Sequence, residues 1–303
     1  MTTLSQINAD YNNNIKNLNN QYNAQLRTAS RMNIINRRNF TRQILSNYTT
    51  NLTTLNKQRK TDIKRIGKFI HTSLIVGINY NNTVNQLRGC INDANNMKQF
   101  VSVRGCENIL MMTDVGPIRP TKNNILLGIA RLLEMTQNNE VAFFYYSGHG
   151  TNVTDSNKDE LDGLDECLLS VDNRVIIDDE INVVIKQYLK PTTKLFIMCD
   201  SCHSGTVIDL KYNYTENEDM VINGTEINGN VFYISGCKDA EVSMESFLNN
   251  QIRGALTNAF MNTLTDETTW GEFMKNIQSK LPGQSPQLSC SQEIDIETDK
   301  CFF

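Results

Sequence analysis

The sequence predicts an α/β protein with a mostly parallel central sheet flanked by helices and preceded by a helical extension. Three observations carry this. From residue 71 onward short apolar runs alternate with amphipathic ones, the pattern of parallel strands joined by helical crossovers. Ahead of them, apolar residues recur every three or four positions in an Asn-rich background. The charge is also unevenly divided: residues 1–68 hold 12 Lys or Arg against Asp10 and Asp62, a net +10, which leaves −14 for the remainder of a chain whose total is −4. Such asymmetry marks a boundary, and it falls at residues 67–71, where the basic segment gives way to "HTSLIVGINY".

In the extension, 1–68, Leu4, Ile7, Tyr11, Ile15, Leu18, Tyr22 and Leu26 form one apolar stripe, and Ile44, Tyr48, Leu52 and Leu55 a second. A helical hairpin is expected, packing on its own domain or on another copy of the chain. Its basic residues are not interleaved with a recognisable binding motif, which argues against nucleic acid and acidic membranes as partners. In the body, 69–303, strands are expected at 73–79, 109–113, 141–146, 194–198 and 231–235. Helices are expected at 84–103, 123–135, 179–189, 252–264 and 270–281. The stretch 210–230 is polar and without apolar periodicity, so it reads as a linker between 69–209 and 231–303.

At 303 residues and 39% hydrophobic content the chain can bury a real core. No run approaches the roughly 18 apolar residues that cross a bilayer, and the start "MTTLSQINADYNNN" lacks the apolar centre of a secretory signal, so a cytoplasmic chain is expected. The eight cysteines are scattered singly apart from Cys199 and Cys202, which suits reduced, buried thiols rather than a disulfide framework.

Sites in parallel sheets form beyond the carboxyl ends of the strands. Two loaded loops sit there: "SGHG" after the third expected strand, and "CDSCHSG" after the fourth. The C-x-x-C spacing of Cys199 and Cys202, with His203 next to it, leaves redox, metal and nucleophile readings open. His149, flanked by Gly148 and Gly150, is well placed for a base. It precedes Cys202 by 53 residues, close to the interval of about 50 between histidine and cysteine in caspases.

Several separated blocks then resemble one family, the metacaspases. "SLIVGINY" and "LRGCINDA" are similar to its opening strand and the segment that follows, "FFYYSGHGT" to its histidine loop and "DSCHSGT" to its cysteine loop. "DGLDECLLSVDN", "VIIDDEI", "FYISGCKDAEVSMES", "GALTNAF" and "SPQLSCS" follow in the family's order, so the resemblance spans 72 to about 297. It implies a caspase-like (caspase-hemoglobinase) fold, with 69–209 as the large-subunit-like and 231–303 as the small-subunit-like region. It also implies a cysteine endopeptidase acting on peptides or proteins after Arg or Lys. Carried onto matching positions, Cys202 is the nucleophile, His149 the base and acid, and the amides of Cys202 and Gly150 the oxyanion donors. The chemistry is coherent: a thiol of pKa about 8.5 is only a few per cent thiolate at neutral pH, and an imidazole raises that fraction and later protonates the leaving amine.

His203 is set aside because consecutive side chains diverge. Ser201 stands where many members have another cysteine, and Cys199 reads as the buried end of its strand. Asp200 stands two residues before the nucleophile, where caspases have glutamine, and an anion there favours a cationic side chain. The resemblance groups Cys90, Asp93 and Ser147 with Asp200 around that pocket. It also matches Asp162, Asp178, Asp179 and Asp209 to calcium ligands, with Asp165 a substitute for Asp162; such oxygen donors suit calcium rather than zinc. Asp178 has a plainer reading as a helix cap. A zymogen with self-cleavage sites at Lys60, Arg65, Lys68 or Lys211 is the remaining expectation. Two rivals stand beside it: a catalytically silent caspase-like scaffold assembled through residues 1–68, and a thiol oxidoreductase in which Cys199 matters as much as Cys202.

Overall fold

The computed structural model describes residues 4–32, 34–66, 70–154, 164–201, 208–214, 220–222, 224–236, 245–248, 251–263, 268–281 and 283–302. Two compact units divide the chain, residues 1–69 and 70–303.

The first unit is a helical hairpin of α1 (Leu4–Ser30) and α2 (Ile34–Ile66). Ile7, Leu18 and Ala29 are buried at intervals of eleven residues. That period, 3.67 residues per turn, is close to the helix's own 3.6, so the stripe stays on one side of a nearly straight helix. Polar rungs add to it: the Tyr11 hydroxyl donates to Asn56 Oδ1 at 2.6 Å, the Tyr48 hydroxyl to Asn19 Oδ1 at 2.7 Å, and Arg59 Nη2 to Asn8 Oδ1 at 2.7 Å. These pairings run antiparallel. Arg37 closes the turn by donating to the carbonyl of Ser30 and to that of Ala29, which also accepts from the Met32 amide at the end of α1.

The second unit runs β1 (Thr72–Gly77), α3 (Cys90–Val103), β2 (Asn108–Thr113), α4 (Lys122–Met135), β3 (Val141–Ser147), β4 (Gly150–Thr154), β5 (Leu164–Leu169), β6 (Val175–Ile177), α5 (Asp178–Tyr188) and β7 (Lys194–Asp200). There follow β8 (Tyr212–Tyr214), β9 (Met220–Ile222), β10 (Asn230–Ser235), β11 (Glu245–Leu248), β12 (Gln251–Gly254), α6 (Ala255–Thr263), α7 (Trp270–Gln278) and β13 (Gln287–Cys290). The main sheet has the order β2-β1-β3-β7-β10-β13-β8-β9. Its first five strands are parallel, and β13, β8 and β9 complete one side in antiparallel pairing. Strands β4, β5 and β6 form a separate antiparallel sheet.

Alternation along the strands decides the two faces. Ile75, Phe143, Tyr145, Phe196, Met198 and Phe232 point to one side and pack with α3, α6 and α7. Leu74, Val76, Phe144, Tyr146, Ile197 and Tyr233 point to the other and pack with α4 and α5. Phe196 is the hub of the first face, stacked on Phe143 at 5.3 Å and Phe260 at 5.9 Å, with Trp270 at 6.2 Å. Two helices are capped as their sequences allow: Thr121 Oγ1 accepts from the Asn124 amide ahead of α4, and Thr269 with Glu272 forms a reciprocal box ahead of α7.

The five central strands and the doubly covered sheet match expectation, and two helices differ from it. The helix expected from 84 begins at Cys90, because the Leu87 amide bonds back to the Asn79 carbonyl at 2.8 Å and closes a loop instead. The helix expected from 252 begins at Ala255, because residues 251–254 pair with β11 as β12. Strands β8 and β9 lie inside the polar stretch 210–230, each too short for its alternation to show.

Phe196→Ala should cost about 3–5 kcal/mol of unfolding free energy in a urea titration, since four aromatic neighbours cannot all close on the void.

Candidate active site

The parallel register of β3 and β7 sets Ser147 directly opposite Asp200, and β1 adds Gly77 beside Ser147. The histidine loop and the cysteine loop therefore leave adjacent strand ends. Ser147 and Asp200 are buried, as are Cys90 and Asp93 in the first turn of α3. Gly77 permits that approach: a Cβ there would lie 2.5 Å from the Cys90 carbonyl oxygen and 2.6 Å from Ala94 Cβ. All four residues expected around the substrate pocket are thus at one end of the sheet.

The two carboxylates converge on the segment entering α6. Asp93 Oδ2 accepts from the Gly254 amide at 2.8 Å. Asp200 Oδ2 accepts from the Thr257 amide at 2.9 Å and the Thr257 hydroxyl at 2.6 Å, so it also meets the positive end of the α6 dipole. Tyr145 shares a 2.6 Å hydrogen bond with that hydroxyl, and its phenol is held well above its ordinary pKa by burial and then by the charges of Asp93 and Asp200. Gly254 and Thr257 are site residues that periodicity could not reveal; the one signal was their place in "GALTNAF".

His149, half-buried, leaves β3 through Gly148, where a Cβ would lie 2.6 Å from the Tyr146 hydroxyl and 2.9 Å from that of Tyr80. The His149 amide donates to the Tyr80 hydroxyl at 2.9 Å, and its carbonyl accepts from the Tyr146 hydroxyl at 2.8 Å. The Tyr80 ring lies 4.8 Å from the imidazole, centroid to centroid. Burial raises the pKa of both phenols, which therefore stay neutral donors. His149 Nε2 lies 2.7 Å from the Asn85 carbonyl oxygen. A carbonyl can only accept, so Nε2 carries a proton, and in the neutral imidazole Nδ1 keeps its lone pair. That is the tautomer a general base needs. Tyr80, Tyr146 and Asn85 went unnoticed in the sequence, because Tyr80 follows the expected strand 73–79, Tyr146 read as strand core and Asn85 acts through its backbone.

Cys202 and His203 lie outside the described residues, as do Asp162 and Lys68. Cys199 is fully buried at the end of β7, and burial pushes its thiol up to about 12. Such a thiol stays protonated at neutral pH and is a poor partner for dithiol exchange. Gly150 opens β4, whose first residue pairs with Leu168.

A second acidic group gathers at the start of α5. Asp178 and Asp165 are buried, and the Asp178 carboxyl is pushed up to about 7 by burial, with the charges of Asp179, Asp165 and Asp209 adding to the rise. Asp178 does not cap the helix. It is the first helical residue, and the Ile177 amide ahead of it bonds to Glu180 at 3.2 Å. Asp178 Oδ1 is buried with no hydrogen-bond partner, a costly state that a cation would relieve. Asp209 holds a left-handed φ of 43° and accepts from Thr225 Oγ1 at 3.0 Å. Among the described residues no three His, Cys, Asp or Glu side chains already form a metal cage. The oxygen-only donors, the crowding of like charge and the orphaned Asp178 oxygen fit a hard divalent cation.

Of the other expected positions, Lys60 and Arg65 lie in α2, and Lys211, just ahead of β8, pairs with Glu226 at 3.5 Å. No helix among the described residues is long and apolar enough to cross a membrane.

The family model of the metacaspase peptidase C14 domain matches residues 71–211. Metacaspase-1 of Kluyveromyces lactis is 32% identical over 287 residues, covering 74% of this chain and 66% of that protein. Metacaspase-1B of Aspergillus terreus is also 32% identical over 287 residues, covering 74% of this chain and 76% of its own. Metacaspase-2 of Arabidopsis thaliana is 39% identical over 233 residues, covering 68% of this chain and 55% of that protein. Among solved structures, a protein from Geobacter sulfurreducens superposes with a TM-score of 0.59 at 21% identity, over 76% of this chain and 97% of its own. That likeness shows the fold alone.

Gly254→Ala should destabilise the protein by about 1–3 kcal/mol in denaturant unfolding, because the new Cβ would lie 2.1 Å from Asp200 Oδ2 and neither partner can retreat from a buried site.

Proposed function

This chain belongs to the metacaspase family of cysteine peptidases with a caspase-like fold, and from that premise we propose that it is a calcium-stimulated endopeptidase cleaving after Arg or Lys through Cys202 and His149. The observation that carries the reading is the fixed tautomer of His149. Its Nε2–H is engaged by the Asn85 carbonyl, and its Nδ1 is available at the strand end beside the one that leads into the cysteine loop.

In the proposed mechanism Nδ1 accepts the Cys202 thiol proton, and the thiolate attacks the scissile carbonyl carbon. The amides of Cys202 and Gly150 receive the oxyanion, a role whose loss typically costs about 100-fold or more in rate. The imidazolium then protonates the leaving amine as the carbon–nitrogen bond breaks. His149 next takes a proton from water, the hydroxide attacks the thioester, and the released thiolate recovers its proton. Asp93 and Asp200 supply the negative charge for a guanidinium or ammonium. Their burial makes the charge felt strongly, and it would repel an acidic residue comparably.

Asp178, Asp179 and Asp209, with Asp162 or Asp165, would hold calcium, whose charge offsets the mutual repulsion of these carboxylates. Asp209 follows the cysteine loop in sequence, so a fixed Asp209 restrains one end of that loop. Binding raises activity only by favouring the active arrangement.

The basic residues 1–68 are proposed to act on the same cleft as a tethered competitor, with a local concentration in about the millimolar range. Self-cleavage at Lys60, Arg65, Lys68 or Lys211 would relieve it. A protease needs an extended strand, so cutting at Lys60 or Arg65 requires the end of α2 to fray.

Cys202→Ala or His149→Ala should abolish hydrolysis of Arg-containing peptides, and His203→Ala should leave appreciable activity. Loss of activity confined to His203→Ala would reverse the assignment. A peptide library digested with and without calcium and read by mass spectrometry should give new carboxyl termini at Arg or Lys only, in greater yield with calcium. Asp200→Asn should lower that turnover far more than it lowers folding stability, and cleavage after Asp would sink the pocket assignment. Calorimetry should show calcium uptake by the wild type that Asp178→Asn weakens at least tenfold; equal uptake would remove Asp178 from the site.

A further inference from the structure

Asp114 follows the edge strand β2, which β1 separates from β3, yet its half-buried carboxylate grips the loop after β1. Oδ1 accepts from the Asn79 amide at 2.8 Å and Oδ2 from the Asn81 amide at 3.1 Å, so the two oxygens clamp the residues on either side of Tyr80. Tyr80 itself has a φ of 51°, left-handed backbone that a bulky side chain adopts only at a cost. Two charge-assisted hydrogen bonds are together of the size needed to hold that conformation. Its consequence is spatial: the phenol reaches the His149 amide and donates to the Leu169 carbonyl at 2.7 Å.

The same turn sets the second contact to the histidine. Thr83 Oγ1 donates to the Tyr80 carbonyl at 2.7 Å and accepts from the Asn85 amide at 3.2 Å, while the Leu87 amide returns to the Asn79 carbonyl at 2.8 Å. Asn79 Oδ1 meanwhile accepts from the Ile91 amide at 3.1 Å, in the first turn of α3. The Asn85 carbonyl that engages His149 Nε2 is thus fixed by a hydrogen-bonded frame anchored on Asp114.

We propose that Asp114 is a positioning residue for the catalytic base: by clamping the amides of Asn79 and Asn81 it holds Tyr80 left-handed, and so aims the Tyr80 hydroxyl and the Asn85 carbonyl at His149. This rests on the reading of His149 as the base, and it concerns a residue that touches neither the histidine nor the substrate. A displacement of about 1 Å at a base costs on the order of 100-fold in rate. The signature of a positioning role is therefore a fall in kcat with KM little changed.

The test has two arms on the full-length chain. In the first, Asp114→Ala and the gentler Asp114→Asn, which keeps one acceptor oxygen, are assayed on an Arg peptide with calcium. Asp114→Ala should lose about 10- to 100-fold in kcat with KM within about threefold, and Asp114→Asn should fall between it and wild type. Tyr80→Phe, which removes only the hydroxyl, should follow the same pattern. In the second arm, ¹⁵N-histidine spectra are recorded in the Cys202→Ala background, which needs no activity. His149 should show a single Nε2–H tautomer that becomes a mixture in Asp114→Ala and, in part, in Asp114→Asn. A folded Asp114→Asn or Asp114→Ala protein with wild-type kcat and an unchanged His149 signal would overturn the proposal. If the wild type cleaves nothing while the tautomer responds as expected, the peptidase reading fails and the clamp stands.

Discussion

Parallel pairing of β3 with β7 is the constraint on which the site depends. Parallel strands need crossover connections, and here the crossovers return each strand end to the same edge of the sheet. The register places Ser147 against Asp200, with Gly77 beyond them. A one-residue slip would turn Phe196 and Met198 out of the first face and carry Asp200 away from Thr257 together. Core packing and site geometry are therefore enforced by one set of hydrogen bonds.

Around that register the molecule spends buried charge and backbone strain in a few places. Asp93 and Asp200 are buried, and each has at least one amide partner on the approach to α6. Tyr80 and Asp209 hold left-handed backbone, and each is tied by side-chain hydrogen bonds nearby. Asp178 keeps an unpartnered buried oxygen. The rest of the body is built of apolar strands, amphipathic helices and side-chain caps, with further left-handed residues at Asn82, Asn139 and Asn173.

This division explains what the sequence made legible. The runs SLIVG, VAFFYYS and KLFIMCD are apolar through their centres, as strands buried on both faces must be, and all three were readable as strands. The Gly-His-Gly and Asp-Ser-Cys-His loops stood out because chemistry demands particular residue types. Three-residue strands such as β8 and β9 were invisible, since a period of two cannot be read from three positions. The start expected at 84 for α3 came six residues too early because apolar spacing cannot register an amide bonding back to Asn79. Asn85 contributes a carbonyl, which every residue possesses, so no sequence signal distinguishes it. Gly254 is needed for what it lacks, and only the fold shows which atoms would collide.

The convergence of Asp93 and Asp200 on Gly254 and Thr257 also bears on the order in which this end of the sheet is completed. The carboxylates come from the first and second thirds of the polypeptide, but their amide partners come from the last sixth. During synthesis from the amino terminus, β1, β3 and β7 emerge well before the residues that satisfy these two charges. Until α6 has been made and has docked, the Asp93 and Asp200 carboxylates lack the amides of Gly254 and Thr257. A growing chain thus carries its histidine and cysteine loops past the ribosome exit before this end of the sheet can be completed, a delay written into the order of the strands and helices.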